Sequence, residues 1–165
     1  MDQFIGFKVA ATNSVFQEAE QVASIGSWEY FVPSNHSTWS DGVFHIFGLV
    51  PTNTAPCFET EVQKLIHPED VDELNQVFNS TITKGSQFSI QHRIIRPDGC
   101  VRWIRSIAKV ECSPEGNVVR LVGATQDITK QHEDEAQLLE LHQTLEDKVK
   151  QRTIELQIAT EAKSR

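Results

Sequence analysis

The chain has 165 residues, of which 39% are hydrophobic and 23% charged, with a formal net charge of -8. That is enough apolar side chain for one packed core and too much for disorder throughout. The acidic balance disfavours a nucleic-acid binder, which needs a basic surface, and disfavours docking on anionic lipid.

The first predicted element is a helix over Asn13–Ser24. Asn13 or Ser14 can cap it, Val15, Phe16, Ala19, Val22 and Ala23 form an apolar stripe, and Gly26 ends it. Strands over Ser27–Val32 and His36–Trp39 flank the turn signal Pro33-Ser34-Asn35 and make a hairpin. Ser40 or Asp41 can cap a helix carrying Val43, Phe44, Ile46 and Phe47, with Gly48 just past its end. A loop with two prolines follows, and Phe58–Ile66 reads as a short helix. Pro68 opens the next helix, with Glu69, Asp70 and Asp72 near its positive end. Its buried stripe is Val71, Leu74, Val77, Phe78 and Ile82, and Gly85 closes it. Three alternating strands come next: Gln87–Arg96, Cys100–Glu111 and Asn117–Gln126. The turns Pro97-Asp98-Gly99 and Ser113-Pro114-Glu115-Gly116 join them into an antiparallel meander. This order of elements predicts an α+β fold, with helices grouped on one face of an antiparallel sheet.

From Ile128 to Arg165 the texture changes: there is no Gly, no Pro, and an abundance of good helix formers. Leu138, His142, Leu145, Val149, Arg152, Leu156, Ala159 and Lys163 recur at alternating steps of four and three, a heptad seam with polar interruptions. A parallel dimer would bury that seam. A helix folded back on its own domain is the alternative.

Several segments together resemble a PAS domain, of the subgroup with a Trp-rich first hairpin and a C-terminal PAC motif. They are Gly26-Ser27-Trp28-Glu29-Tyr30, Trp39-Ser40, Gly48-Leu49-Val50-Pro51, His67-Pro68-Glu69-Asp70, His92 through Gly99, Val101-Arg102-Trp103-Ile104, and Gly123 through Thr129. The tail from Leu138 onward resembles the linker that precedes the dimerisation helix of a bacterial sensor histidine kinase. The resemblance implies a five-stranded antiparallel sheet with helices on one face, followed by a long C-terminal helix. It divides the chain into a flanking helix (1–24), a sensor domain (25–129) and a coiled-coil signalling helix (130–165). The implied function is a sensory and dimerisation module that regulates a histidine kinase in cis. A diguanylate cyclase output, or a ligand-free interaction domain, is the alternative. A homodimer through the flanking helices, a small-molecule ligand and a cytoplasmic location follow from the same likeness, with a membrane anchor elsewhere in the parent left open.

Alternation in the third strand places Phe88, Ile90, His92 and Ile94 on the inner face. His92 stands where the family usually has an aromatic residue, so it is either a hydrogen-bonded core histidine or part of a pocket. By resemblance, Ile104, Ser106 and Ala108 face the same cavity, with Leu121, Gly123 and Thr125 from the last strand and Phe44 and Phe47 from the helix after the hairpin. The face carrying Trp103 then lies outside. Asp127, Ile128 and Thr129 occupy the family's signal-coupling junction, and Thr129 can cap the long helix. The expected dimer seam is Leu138, Leu145, Val149 and Leu156.

Two clusters invite a catalytic or ligand reading. His67 beside Glu69 and Asp70 could titrate near neutral pH, but a helix N-terminus explains every one of these residues. Arg93, Arg96, Arg102, Arg105 and Arg120 could form an anion site, but an acidic chain argues for local pairs instead. The odd set Cys57, Cys100 and Cys112 reads as reduced thiols, with no metal-ligand spacing. A flavin–cysteine adduct is disfavoured by apolar inner positions such as Ile94 and Ile104, and haem by the lack of a histidine in Glu69–Lys84. No cofactor is required by these residues. The chain has no catalytic constellation, no phosphate loop, no metal site and no apolar run of the ~18 residues a membrane span needs. Met1–Ala11 lacks the apolar core of a secretory signal.

Overall fold

The computed structural model describes residues 14–165. The expected Asn13 cap and the reading of Met1–Ala11 lie outside them. The chain divides into two compact units between Ile128 and Thr129.

In the first unit, helix α1 covers residues 14–23 of the described chain and ends at Ser24, whose φ of 52° is left-handed. The expected stop, Gly26, lies instead inside strand β1 (Ile25–Phe31). There its missing side chain admits the backbone of the next helix. Strand β2 (His36–Trp39) completes the hairpin, with Trp28 opposite Trp39. Helix α2 (Asp41–Phe47) follows Ser40 and closes at Gly48, in the left-handed conformation. Helix α3 (Val71–Lys84) ends at Gly85, also left-handed. Strands β3 (Phe88–Ile95), β4 (Val101–Cys112) and β5 (Val118–Asp127) form the meander. The five-stranded sheet is antiparallel throughout, in the order β2-β1-β5-β4-β3. This is the expected α+β architecture. Gly99 and Gly116, at φ of 84° and 88°, make the two tight turns that a side chain would strain.

The expected helix over Phe58–Ile66 is a set of turns followed by a short 3-10 helix, Val62–Leu65. Two features divert it. The Glu61 carboxylate accepts from the Cys57 N–H at 2.7 Å, tying the segment into a tight loop. Ile66 is drawn into an extended bridge with Ile94 of β3, which helical backbone cannot make.

The core lies between the sheet and the helical layer. Val43, Ile94, Ile104 and Leu121 are at most 1% exposed. On β4 the buried face is Ile104, Ser106 and Ala108, while Val101 and Ile107 face outward. Arg93 places its guanidinium over the half-buried Trp103 ring, 5.6 Å from the centroid.

Arg93, Arg96 and Arg120 go to separate partners. Arg120 pairs with Glu29 and Glu111, and Arg96 donates to the Ile46 carbonyl at 2.8 Å. Arg93 pairs with Asp70 and Glu69. The acids after His67 therefore do more than start a helix: Asp70 pins α3 to β3. Its carboxylate accepts from the Arg93 backbone N–H at 2.7 Å, from Nε at 3.0 Å and from Nη2 at 2.6 Å. His67 Nδ1 in turn accepts from the Glu69 N–H at 3.3 Å.

The Arg93 guanidinium holds the Asp70 carboxyl below its usual range. A lowered folded value stabilises the fold above the ordinary carboxylate pKa of about 4, and that contribution is lost as pH falls through the folded value. Asp70→Ala is expected to cost about 2–3 kcal/mol at neutral pH, because it also strips a backbone N–H of its partner. Urea denaturation measures this. The gap between parent and variant should narrow as pH drops below about 4, and a gap that persists unchanged would refute the assignment.

The second unit is helix α4 (Thr129–Lys163), 35 residues and so about 52 Å long. It begins at Thr129 itself, one residue before a Thr129 cap would start it. Leu138, Leu145, Val149 and Leu156 are all more than half exposed. So are Leu139, Ile154 and Ile158, which lie off the seam. Among the described residues no helix is long and apolar enough to cross a membrane.

Candidate functional site: the sheet-facing cavity

A cavity of about 80 Å³ lies against the inner face of the sheet. One water needs roughly 10–15 Å³ of such space, so it has room for a small molecule. Two sets of residues line it. The sheet contributes Trp28, Tyr30, Ser37, Trp39, Phe88, His92, Ile104, Ser106 and Thr125; the helical layer contributes Val43, Phe47, Phe58, Val62, Ile66, Leu74 and Phe78. The aromatic walls support one another. Trp39 stacks on Phe47 at 5.1 Å, Phe58 stacks on Phe78 at 4.8 Å, and Trp28 meets Phe88 edge-on at 5.8 Å.

The polar groups are few. Trp28 Nε1 donates to Thr125 Oγ1 at 3.1 Å, and Thr125 Oγ1 lies 2.9 Å from Ser106 Oγ. Tyr30 donates to Asn35 Oδ1 at 3.1 Å. His92 is 4% exposed, and its buried Nδ1 has no hydrogen-bond partner among the described residues. Burial pushes the imidazole below its ordinary pKa, and the nearby Arg93 backbone and Asp70 only partly oppose this. The ring is therefore neutral at neutral pH. Among the described residues no Asp, Glu, Lys or Arg lines the cavity.

Of the residues expected to line the cavity, Phe47, His92, Ile104, Ser106 and Thr125 do so. Ile90, Ile94, Ala108 and Leu121 share the inner face but are packed into the core. Phe44 is buried and turned edge-on to Trp39, at 5.2 Å. Gly123 lies under the Trp28 indole, where an added Cβ would stand 2.6 Å from the ring. Alternation gives the face a residue occupies, but not whether a neighbouring side chain covers it. Sequence reasoning missed Trp28, Tyr30, Ser37 and Trp39 of the hairpin, and Phe58, Val62, Ile66, Leu74 and Phe78 of the helical layer. For the hairpin the signal was there, since Trp28 and Tyr30 alternate on β1 and their partners across the hairpin are Trp39 and Ser37.

At the end of β5, the Asp127 N–H donates to the Ser24 carbonyl at 2.9 Å, and its carboxylate lies 3.7 Å from Arg96. The Ile128 N–H donates to the Trp103 carbonyl at 2.9 Å. Close by, the buried Glu20 anchors α1. Its Oε1 accepts from the Ser27 N–H at 3.0 Å, from Ser27 Oγ at 2.8 Å and from Ser40 Oγ at 3.2 Å. The apolar residues Val15, Phe16 and Val22 of the same helix are exposed. Glu20 escaped the sequence reading because a glutamate in an amphipathic helix ordinarily marks the solvent face. Glu20→Ala is expected to free α1 and to take the acceptor from the Ser27 and Ser40 hydroxyls, while the Ser27 N–H keeps Ser40 Oγ at 3.0 Å, at a cost of about 1–3 kcal/mol. Hydrogen exchange should show α1 amides losing protection while β3 and β4 keep theirs; unchanged protection of α1 would contradict this role.

Comparison with known proteins agrees with this architecture. A family model described as PAS fold matches residues 36–125. The chain belongs to the PAS fold family. The curated relatives include the probable diguanylate cyclase DgcE of Escherichia coli, 30% identical over 112 residues, which are 68% of this chain and 10% of that protein. The PAS chain therefore spans about a tenth of that relative's length. Among solved structures, a sensory box histidine kinase/response regulator from Burkholderia thailandensis superposes with a TM-score of 0.64 at 24% identity, covering 79% of this chain and 97% of that one. The N-terminal domain of a diguanylate cyclase with PAS/PAC sensor from Marinobacter aquaeolei gives 0.58 at 19% identity, covering 66% and 98%. At these identities the likeness of the PAS structures is one of fold.

Proposed function

We propose that the chain is the sensory and dimerisation module of a longer, cytoplasmic signalling protein, in which residues 25–129 sense and residues 130–165 pass the result as a coiled coil to a histidine kinase. The observation that carries this reading is a chain connection. Thr125 lines the cavity, Asp127 and Ile128 are pinned to Ser24 and Trp103, and α4 starts at the next residue. A change around Thr125 thus has a direct covalent route to α4. The Asp127-Ile128-Thr129 segment is the coupling point in this reading, and Gly123 through Thr129 belongs to a PAC motif. The exposed seam on α4 and the exposed apolar face of α1 supply the dimer contacts. No cofactor is needed for this role.

The 30% identity to a probable diguanylate cyclase favours a second reading, in which the same module feeds a cyclase output. The test uses the full parent protein, incubated with labelled ATP and separately with GTP. Phosphohistidine supports the kinase, and a cyclic dinucleotide product supports the cyclase. Ser106→Phe, which fills the cavity, should change whichever output appears. An output indifferent to the cavity, or neither product, overturns the sensory reading.

A further inference from the structure

Two independent observations on the cavity bear on what it accepts. The first is its size. At about 80 Å³ it is roughly half the ~150 Å³ that takes a benzene ring, so it has room for about three or four non-hydrogen atoms and not for a ring. Its walls include the rings of Trp28, Trp39, Phe47, Phe58 and Phe88. These are held in stacked and edge-on contacts, which leaves the space little freedom to widen.

The second is a proton count. Trp28 Nε1 donates to Thr125 Oγ1 at 3.1 Å, and the Thr125 and Ser106 hydroxyl oxygens lie 2.9 Å apart. Two hydroxyls in contact use one proton between them, so the other hydroxyl proton is left over whichever of the two donates. An oxygen that already accepts a hydrogen bond becomes the better donor. The chain therefore runs from the indole through Thr125 to Ser106, and the Ser106 proton is its end. No described residue accepts that proton. Ser106 is 7% exposed and Thr125 3%, and both line the cavity. A buried hydroxyl proton without an acceptor costs free energy, and the space these residues line is where an acceptor can enter.

We propose that the cavity binds an uncharged organic molecule of about three or four non-hydrogen atoms, a small ketone, aldehyde or alcohol, whose oxygen accepts the surplus hydroxyl proton of the Ser106–Thr125 pair. Each feature sets an alternative aside. Water would fill the volume only as several molecules, each needing about two to four polar partners, and the aromatic walls offer few. A carboxylate finds no Lys or Arg among the described lining residues and would be buried unpaired. A hydrocarbon fits the walls but leaves the hydroxyl proton without an acceptor. This assignment rests on the sensory reading above and adds the chemical class of the signal.

Acetone, isobutene and acetate share one shape and differ in the oxygen and the charge. Each is titrated into the 165-residue chain, and amide and methyl NMR shifts read the binding. Acetone is expected to saturate with a Kd on the order of 1 mM, within what so small a molecule can supply. Its methyl protons should show Overhauser contacts to the Trp28 indole N–H and the Ile104 methyls. Acetate, which is charged, and phenol, which is too large, should give no saturable shift. Ser106→Ala is expected to lower the acetone-to-isobutene affinity ratio about fivefold, the worth of one hydrogen bond. The wild-type titrations need no variant, so they decide the matter even if Ser106→Ala fails to fold. Acetone that does not bind, acetate or phenol that binds as tightly as acetone, or a ratio that Ser106→Ala leaves unchanged overturns the proposal. If acetone does not bind while Ser106→Phe still alters the output of the parent protein, the ligand class falls and the sensory reading stands.

Discussion

Gly26→Ala is expected to destabilise the domain by about 3 kcal/mol or more, at the upper end of what overpacking costs. The reason is space. A Cβ at position 26 would lie 2.2 Å from the backbone nitrogen of Val43 and 2.6 Å from the Gly42 carbonyl carbon. Gly42 faces it reciprocally, since a Cβ there would stand 2.4 Å from the Ile25 carbonyl oxygen. Backbone cannot step aside as a flexible side chain can. Relief requires moving the first turn of α2, which carries Val43 at 1% exposure and Phe44 at 2%. The melting temperature should fall by roughly 10 °C, measured at one fixed protein concentration so that assembly does not enter. Gly99→Ala is the informative partner. Among the described residues no atom lies within 4 Å of where its Cβ would stand, but its φ is +84°, so only conformational strain of about 1–2 kcal/mol is expected. A Gly26→Ala protein as stable as the Gly99→Ala one would show that α2 does not press on β1 as closely as described.

The second large effect concerns assembly. Leu145→Asp combined with Leu156→Asp is expected to raise the dimer dissociation constant at least about 100-fold, because each helix would bring two carboxylates into the proposed seam without partners. Both leucines are more than half exposed within the chain, so the domain's own stability should hold. A single helix of this kind gains little by burying nothing, so helicity should drop with dissociation. Ile154→Asp with Ile158→Asp supplies the control, the same chemistry off the seam. Sedimentation across a concentration series reads all three proteins. An intact chain that stays monomeric at high concentration refutes the coiled coil. If the control pair weakens the dimer as much as the seam pair, the interface lies on a different face of α4. His142, Arg152 and Lys163 interrupt the seam with polar groups, which makes the proposed coil marginal and suits an element biased between two registers.

Much of the fold was legible because its signals are local. Period-two alternation marks β3 and β4, and Gly99 and Gly116 sit where the turns demand positive φ. Gly48 and Gly85 end helices for the same reason. The failures have a common cause. Phe58–Ile66 has helical composition, yet it yields to a bridge with Ile94, nearly thirty residues on. Gly26 looked like a helix stop, and its real work is to let α2 approach. Glu20 drew no attention as a glutamate in a helix, and it is the buried anchor of that helix.

The sequence by itself determined the strand order along the chain, the inner face of β3, and the change to a long helix near Ile128, while the inner faces of β4 and β5 came from the likeness to the family. The first three follow from backbone period, turn chemistry and composition within a short window. Only the tertiary structure decided which inner-face residues border open space and which are covered. It brought Trp28 to Thr125 across 97 positions of sequence, and Asp70 to Arg93 across 23. It also buried His92 beneath the helical layer, at 4% exposure. A hydrogen bond of a few ångströms depends on how whole elements pack, and side-chain pattern along one strand carries no record of the layer laid against it.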